Sequence, residues 1–185
     1  MPRISDAKSR FIDTAALLFR RQGYNGVGLT EIIEAAAAPK GSFYHHFPGG
    51  KEELAEQALR RSAGRFSKAI DQVFSEAKSF ADGIDALYTA AAAWFEASDW
   101  RDGCPMISIV LDTIPASARI HEASREALDG WIGGIAGHAE RFGEQGDRRA
   151  LALRILIGLE GAWILARVVR SPEPFRQAAA MVSKI

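Results

Sequence analysis

The stretch Leu29–Leu54 reads LTEIIEAAAAPKGSFYHHFPGGKEEL, and its punctuation decides the fold. Leu29, Ile32, Ile33 and Ala36 recur at helical spacing, which predicts a short amphipathic helix. Gly28 falls at its N-cap, where glycine is acceptable but a hydroxyl caps better. Pro39 is expected to stop this helix, because proline lacks an N–H and disfavours helix at the residue before it. A second short helix should run from about Lys40 to His46 and end at Pro48-Gly49-Gly50, with Lys51-Glu52-Glu53-Leu54 opening a third. Two short helices joined by a tight turn form a helix-turn-helix, whose second helix enters the DNA major groove.

That second helix sorts its residues by face. Phe43 and Phe47 are four apart and should pack inward together. Lys40, Gly41, Tyr44 and His45 take the other side, with Ser42 at the edge. The outward set suits DNA. Lys40 offers an ammonium to a phosphate or to guanine acceptors, and Ser42 can hydrogen-bond a phosphate or a base. Gly41 lets the backbone come close, and Tyr44 and His45 bring ring surface and a donor to the phosphate wall. Lys51 stands at the start of the next helix, where backbone N–H groups also favour a phosphate. Spacing alone fits a solvated helix with an aromatic inner side equally well.

The run KGSFYHHF, preceded by an apolar helix and followed by KEEL, closely resembles the TetR/AcrR family of transcriptional regulators, from Gly23-Tyr24 to Leu54. APKGSFYHHFPGGKEELA resembles most the LmrA/YxaF-type subgroup, which shares the extra glycine before Lys51. Val27 and Gly28 replace a threonine pair, and Pro39 replaces the usual serine. Ala37 stands where the turn usually has glycine; an alanine held left-handed there costs about 1 kcal/mol. None of these departures removes an outward-facing contact.

The whole chain has 185 residues, 48% hydrophobic and 25% charged, with a formal net charge of zero, the composition of a soluble globular protein. Any basic face must therefore be local. Up to Lys51, Arg3, Lys8, Arg10, Arg20, Arg21, Lys40 and Lys51 outnumber Asp6, Asp13, Glu31 and Glu34, a weak pointer to a polyanionic partner. The single cysteine, Cys104, excludes an intrachain disulfide. The opening Pro2-Arg3-Ile4-Ser5-Asp6 has no signal-peptide pattern. The longest apolar run, Ile155–Val169, contains Glu160 and Arg167 and is too short to span a bilayer. A cytoplasmic location without a membrane partner is expected.

The rest of the chain reads as helices, with no strand pattern and no repeat. Ser5 or Asp6 can cap the first, whose apolar face is Phe11, Ala15, Leu18 and Phe19 and whose end is Gly23. Lys8 and Arg10 on it are phosphate contacts or plain solvated charge. A long helix runs from Lys51 to about Ala77 with a possible bend at Gly64. Lys78–Gly83 reads as a connection, and Ile84–Ser98 as a helix. Cys104-Pro105 starts a shorter one, Met106 to about Thr113, with Pro105 suited to the first turn. Ala116–Phe142, a helix capped by Asp147 and running to Val169, and Phe175–Ile185 complete the set. The expected fold is all-α, with about nine helices: a DNA-binding domain over residues 1–50 and a ligand-binding and dimerisation domain over residues 51–185.

No reactive constellation accompanies these helices. His45, His46, His121 and His138 are too scattered for a metal motif, Gly130, Gly133, Gly134 and Gly137 lie within a helical pattern rather than a phosphate loop, and GxSxG is absent. No enzyme, cofactor or metal is expected. Cys104 at a loop–helix junction is read as structural, with redox sensing the alternative. In the resembled family the C-terminal bundle binds a small, often apolar or aromatic molecule. Trp94, Phe95, Met106, Trp131 and Trp163 are the candidates to surround it, with Tyr88, Asp112, His138 or Glu160 holding its polar end. The last two long helices of the family form a dimer interface, and Gly158, Gly161 and Ala162 would let a partner helix approach. The resemblance thus implies a ligand-responsive homodimeric repressor with two recognition helices roughly 34–36 Å apart on a palindromic operator. A helical small-molecule-binding protein without DNA function is the rival.

Overall fold

The computed structural model describes residues 4–104 and 106–183, with side chains from Ala7 onward. The caps expected of Ser5 and Asp6, the first-turn role of Pro105 and the helix end at Ile185 lie outside the described residues. Among those described, every regular element is a helix: α1 (Ile4–Gln22), α2 (Leu29–Ala35), α3 (Lys40–His46), α4 (Gly50–Glu76), α5 (Phe80–Ala97), α6 (Ile107–Thr113), α7 (Ala118–Arg141), α8 (Arg148–Val169) and α9 (Glu173–Val182). None is long and apolar enough to cross a membrane. Two compact units form, Met1–Gly64 with Cys104–Glu126, and Arg65–Gly103 with Ala127–Ile185. Packing therefore groups α6 and the start of α7 with the helix-turn-helix, and α4 contributes its first part to one unit and its remainder to the other.

The first unit is built on aromatic burial. Phe11, Phe19, Phe43, Phe47, Ile32 and Leu54 are completely buried. Burying each such side chain contributes about 1.5–3 kcal/mol. Phe11 of α1 meets Phe43 edge-on at 5.4 Å and Phe47 at 6.1 Å, so α1 clamps α3 through rings four residues apart. Gly28 is the N-cap of α2 without a side-chain hydrogen bond, as expected. The stop of α2 differs from the expectation. The helix ends at Ala35, and Ala37 turns left-handed at φ 49°, two residues before the proline. Pro39 instead serves as N-cap of α3 at φ −61°, ψ 134°, the extended backbone that its ring favours. Arg10 Nη1 donates to the Ala37 carbonyl at 2.8 Å, pinning the turn to α1.

The α1–α2 loop is closed by α6. Gly23 ends α1 at φ 79°. The Tyr24 N–H then donates to the Ser108 carbonyl at 3.3 Å, and the Asn25 N–H to Asp112 Oδ2 at 2.8 Å. Beside it, Glu56 accepts from Arg119 at 2.8 Å and from Arg60 at 2.9 Å, and Arg60 also pairs with Glu126.

In the second unit, Lys78–Gly83 is not wholly a connection. Ser79 Oγ accepts the Asp82 N–H at 3.1 Å, and that cap starts α5 at Phe80. Gly83 faces the Phe74 ring so closely that a Cβ would collide with it. Phe74 is stacked between Phe80 at 5.2 Å and His138 at 5.0 Å. Asp147 caps α8 as expected, accepting from the Ala150 N–H at 2.9 Å. The fully buried Tyr88 spends its hydroxyl on the Ile155 carbonyl at 2.8 Å, over Gly158.

Candidate functional site

The two faces of α3 separate cleanly. Phe43 and Phe47 are fully buried, whereas Lys40, Gly41, Tyr44 and His45 are exposed and Ser42 is half-buried. Tyr44 is 52% exposed even though its ring edge meets Phe43 at 5.3 Å. The inner ring therefore steadies the outer one while half of Tyr44 stays exposed. A Cβ on Gly41 would meet nothing within 4 Å, so the backbone there is open to a large partner.

Lys51 has a firmer attachment than a solvated cation. Its Nζ donates to the Tyr24 carbonyl at 2.6 Å and lies 4.1 Å from the Tyr24 ring centroid. Burial holds its pKa below the ordinary lysine value, against the opposing pull of Asp112. Tyr24 is pushed upward, first by burial and then by the Glu52 carboxylate. Lys8 lies over the Phe47 ring at 5.9 Å, and Arg10 is committed to the Ala37 carbonyl.

Sequence reasoning missed Asn25 and the structural role of Arg10, and it read Asp112 as a polar group of the effector pocket where the structure gives it to the α1–α2 loop. A glycine that ends a helix leaves open amides behind it, so an acceptor was to be sought. Nothing in the periodicity of α6 indicated that Asp112, 87 residues further on, would supply it.

The residues expected to surround an effector do not form one group. Trp131 meets Phe66 at 4.9 Å, Phe66 meets Trp163 at 6.1 Å, and Trp163 meets Phe175 edge-on at 6.0 Å. Phe95 joins this set through Phe175 at 6.3 Å. Trp163 is 5% exposed, and its buried indole N–H has no acceptor among the described residues. Glu160 is half-buried. Other candidates have different surroundings. Trp94 is 40% exposed. Met106 is buried in the first unit. His138 Nε2 lies 2.9 Å from Asp71 Oδ1 with its ring against Phe74. Tyr88 donates its hydroxyl hydrogen bond to a backbone carbonyl, and burial pushes its pKa up. Cys104 is a buried thiol in no disulfide. No group of three or more His, Cys, Asp or Glu that could hold a metal occurs among the described residues.

An exposed aromatic–basic recognition helix over a ring-packed base is the arrangement of a helix-turn-helix DNA-binding protein. Comparison with known proteins names the family. Residues 11–58 match the family model of bacterial regulatory proteins, tetR family, and residues 81–181 match that of the C-terminal domain of LmrA/YxaF-like transcriptional regulators. The HTH-type transcriptional regulator LmrA of Bacillus subtilis is 34% identical over 126 residues, 68% of this chain and 67% of its own. The HTH-type transcriptional repressor NemR of Escherichia coli is 26% identical over 97% of this chain and 94% of its own. The crystal structure of reduced NemR superposes with a TM-score of 0.87, covering 97% of this chain and 96% of that one. The regulator CifR, solved as a cysteine mutant complexed with 26-bp double-strand operator DNA, shares the fold at a TM-score of 0.81 and 21% identity over 95% and 94% of the two chains. The chain belongs to the TetR family of bacterial transcriptional regulators, with a C-terminal domain of the LmrA/YxaF-like type.

Proposed function

We propose that this regulator is a homodimeric repressor that binds an inverted-repeat operator and is released by a small apolar or aromatic effector. The observation that carries the DNA part is the exposure of Lys40, Gly41, Tyr44 and His45 above the buried Phe43 and Phe47. With Ser42 at the edge, these groups meet bases and phosphates. Lys51 adds a phosphate contact through the protons that its bond to Tyr24 leaves over, since an ammonium carries three donors. CifR, the structural neighbour held on operator DNA, offers a precedent for the docking, and the repressor NemR for the sign of regulation.

Dimerisation is assigned to α8 and α9. Ile157, Ile164, Leu165 and Val168 are each at least 57% exposed. With Gly161 they follow helical spacing along one side of α8, and a Cβ on Gly161 would meet nothing within 4 Å. A large exposed apolar stripe of this kind marks an interface. The effector is assigned to the rings around Trp163, where the indole N–H awaits an acceptor. A buried donor without a partner costs about 1–3 kcal/mol, which a ligand carbonyl or phenolic oxygen would recover. Release follows if the effector binds the DNA-incompetent state more tightly. A coupling of about 1–3 kcal/mol gives a 5–150-fold loss of operator affinity.

The test is fluorescence anisotropy on duplexes from the DNA flanking the regulator's own gene. Lys40→Ala should weaken binding and lower the salt slope by about one unit. Aromatic compounds that quench tryptophan should then release the duplex. Compounds that bind while no flanking duplex is ever bound would leave a small-molecule-binding protein without DNA function.

A further inference from the structure

One groove lies outside the DNA reading and meets the effector reading only at Phe175, whose ring also neighbours Trp163. It lies between α5 and α9 and encloses about 580 Å³, within the roughly 300–1,000 Å³ typical of small-molecule sites. Its base is apolar. The rings of Tyr88 and Phe175 are each 1% exposed, and Ala92 and Ala179 beside them are buried. The small alanine side chains leave open the space that larger ones would fill. Phe95 of α5 touches Phe175 at 6.3 Å, so the C-terminal part of α5 lies beside the start of α9.

The polar side chains around the groove include Thr89, Arg176, Ser183 and two carboxylates without partners. Asp85 and Glu96 both line it, and among the described residues neither side chain has a hydrogen bond or an ion pair. Several other exposed carboxylates of this unit are paired, Asp99 with Arg170, Asp129 with Arg149, and Glu173 with Arg176, whereas Asp82, outside the groove, is not. The last pair matters here. Arg176 is the one cation lining the groove among the described residues, and Glu173 holds its Nε at 2.8 Å and offsets its charge. Asp85 and Glu96 are eleven residues apart on one continuous helix, which puts them about 16 Å apart along its axis. The groove is thus an apolar trough with an unpaired negative charge toward each end.

We propose that this groove binds an elongated amphiphilic amine. Its apolar body lies over Ala92 and Ala179 between the two rings, and its protonated nitrogen faces Asp85 or Glu96. Most of the affinity comes from apolar contact, because a solvent-exposed ion pair adds only a few-fold. The charge sets the preference of the site. An anionic or neutral molecule of the same shape leaves the carboxylates unanswered.

Calorimetry on the intact protein tests this with three probes kept below micelle formation: decyltrimethylammonium, decyl maltoside and decanoate. At low salt the cation should bind about fivefold more tightly than the neutral probe, and decanoate weakest. High salt should remove that difference. The double variant Asp85→Asn/Glu96→Gln should lose the preference for charge while still binding the neutral probe. Ala179→Leu, which fills the trough, should weaken all three at least tenfold. Ala93→Lys alters only an exposed lining residue. It places a cation in the groove and should weaken the cationic probe alone. Absence of cation binding would overturn the proposal. So would a preference that survives the double neutralisation, or affinities untouched by both Ala93→Lys and Ala179→Leu. Asp85→Asn/Glu96→Gln and Ala93→Lys change no residue of the ring set around Trp163, so their effects separate binding in this groove from binding at the proposed effector site.

Discussion

Ala37→Gly is expected to stabilise this regulator, and the expectation can be worked from one backbone angle. Ala37 holds φ at 49° in the turn between α2 and α3. A Cβ in that region crowds the following carbonyl, at about 1–2 kcal/mol per residue. Glycine removes that strain but gives the unfolded chain more freedom, returning about 0.4–1 kcal/mol. Ala37 is exposed, so the lost methyl takes little buried apolar surface with it. The bond from Arg10 reaches the carbonyl of residue 37 and not its side chain, so it survives the change. The balance is a gain of about 0.5–1 kcal/mol, or about 1–4 °C in Tm for a chain of this size. The measurement is urea and thermal unfolding by circular dichroism, at one fixed protein concentration because the proposed dimerisation would contribute to apparent stability. A Tm that is unchanged or lowered by Ala37→Gly would refute the left-handed assignment. Arg10→Gln separates the two supports of the turn. It should destabilise the turn equally in the parent chain and in the Ala37→Gly variant, since its acceptor is backbone.

Three further outcomes are expected. Gly158→Ala puts a methyl where the Tyr88 hydroxyl now lies. It should push that hydroxyl off the Ile155 carbonyl and cost about 1–3 kcal/mol in urea unfolding; a stabilised variant would mean that Tyr88 yields freely. Gly161→Leu has open space around it, so the subunit should keep its helical content while sedimentation finds monomer; an intact dimer would move the interface elsewhere. Glu56 gives a pH dependence. Burial opposes its ionisation, but the hydrogen bonds from Arg60 and Arg119 prevail and hold its pKa below the ordinary 4.5. A depressed carboxylate contributes stability above the unfolded value, lost as pH falls through the folded one. Glu56→Gln should therefore narrow the gap in urea midpoint between pH 7 and pH 3, and an unchanged gap would show that the pair is fully screened.

What was legible in the sequence, and what was not, divides along the range of the forces involved. The helices, the Asp147 cap and the inward pair Phe43 and Phe47 follow from periodicity and local hydrogen bonding, which act within a few residues, and the structure has them. Local reading fails where two local signals compete. Pro39 carries the stop signal for α2, yet the chain turns earlier, at Ala37, and uses the proline to start α3. Lys78–Gly83 reads like a connection because of its glycine. Ser79 caps a helix there, and Gly83 is small for the sake of Phe74.

The polar residues are legible only as candidates, since their partners come from distant parts of the chain. In the sequence, Tyr88 and His138 look like groups waiting for a ligand. Tyr88 is occupied by a carbonyl 67 residues away, and His138 lies against Asp71 at the same separation. Lys51 and Arg10 look like phosphate contacts and are tied to backbone carbonyls, each 27 residues distant. A polar side chain is a credible ligand contact when its hydrogen bonds are unspent, and that cannot be read from spacing. By this criterion the emphasis shifts from Tyr88 to the indole N–H of Trp163, and from the basic residues that brace the helix-turn-helix to the exposed Lys40, Tyr44 and His45. It also brings forward Asp85 and Glu96, which a helical pattern alone treats as ordinary solvated charge. A partner gains most at a buried unspent group such as the Trp163 N–H, where it recovers a desolvation cost and breaks no intrachain bond, while at the hydrated carboxylates of Asp85 and Glu96 it gains a preference for charge.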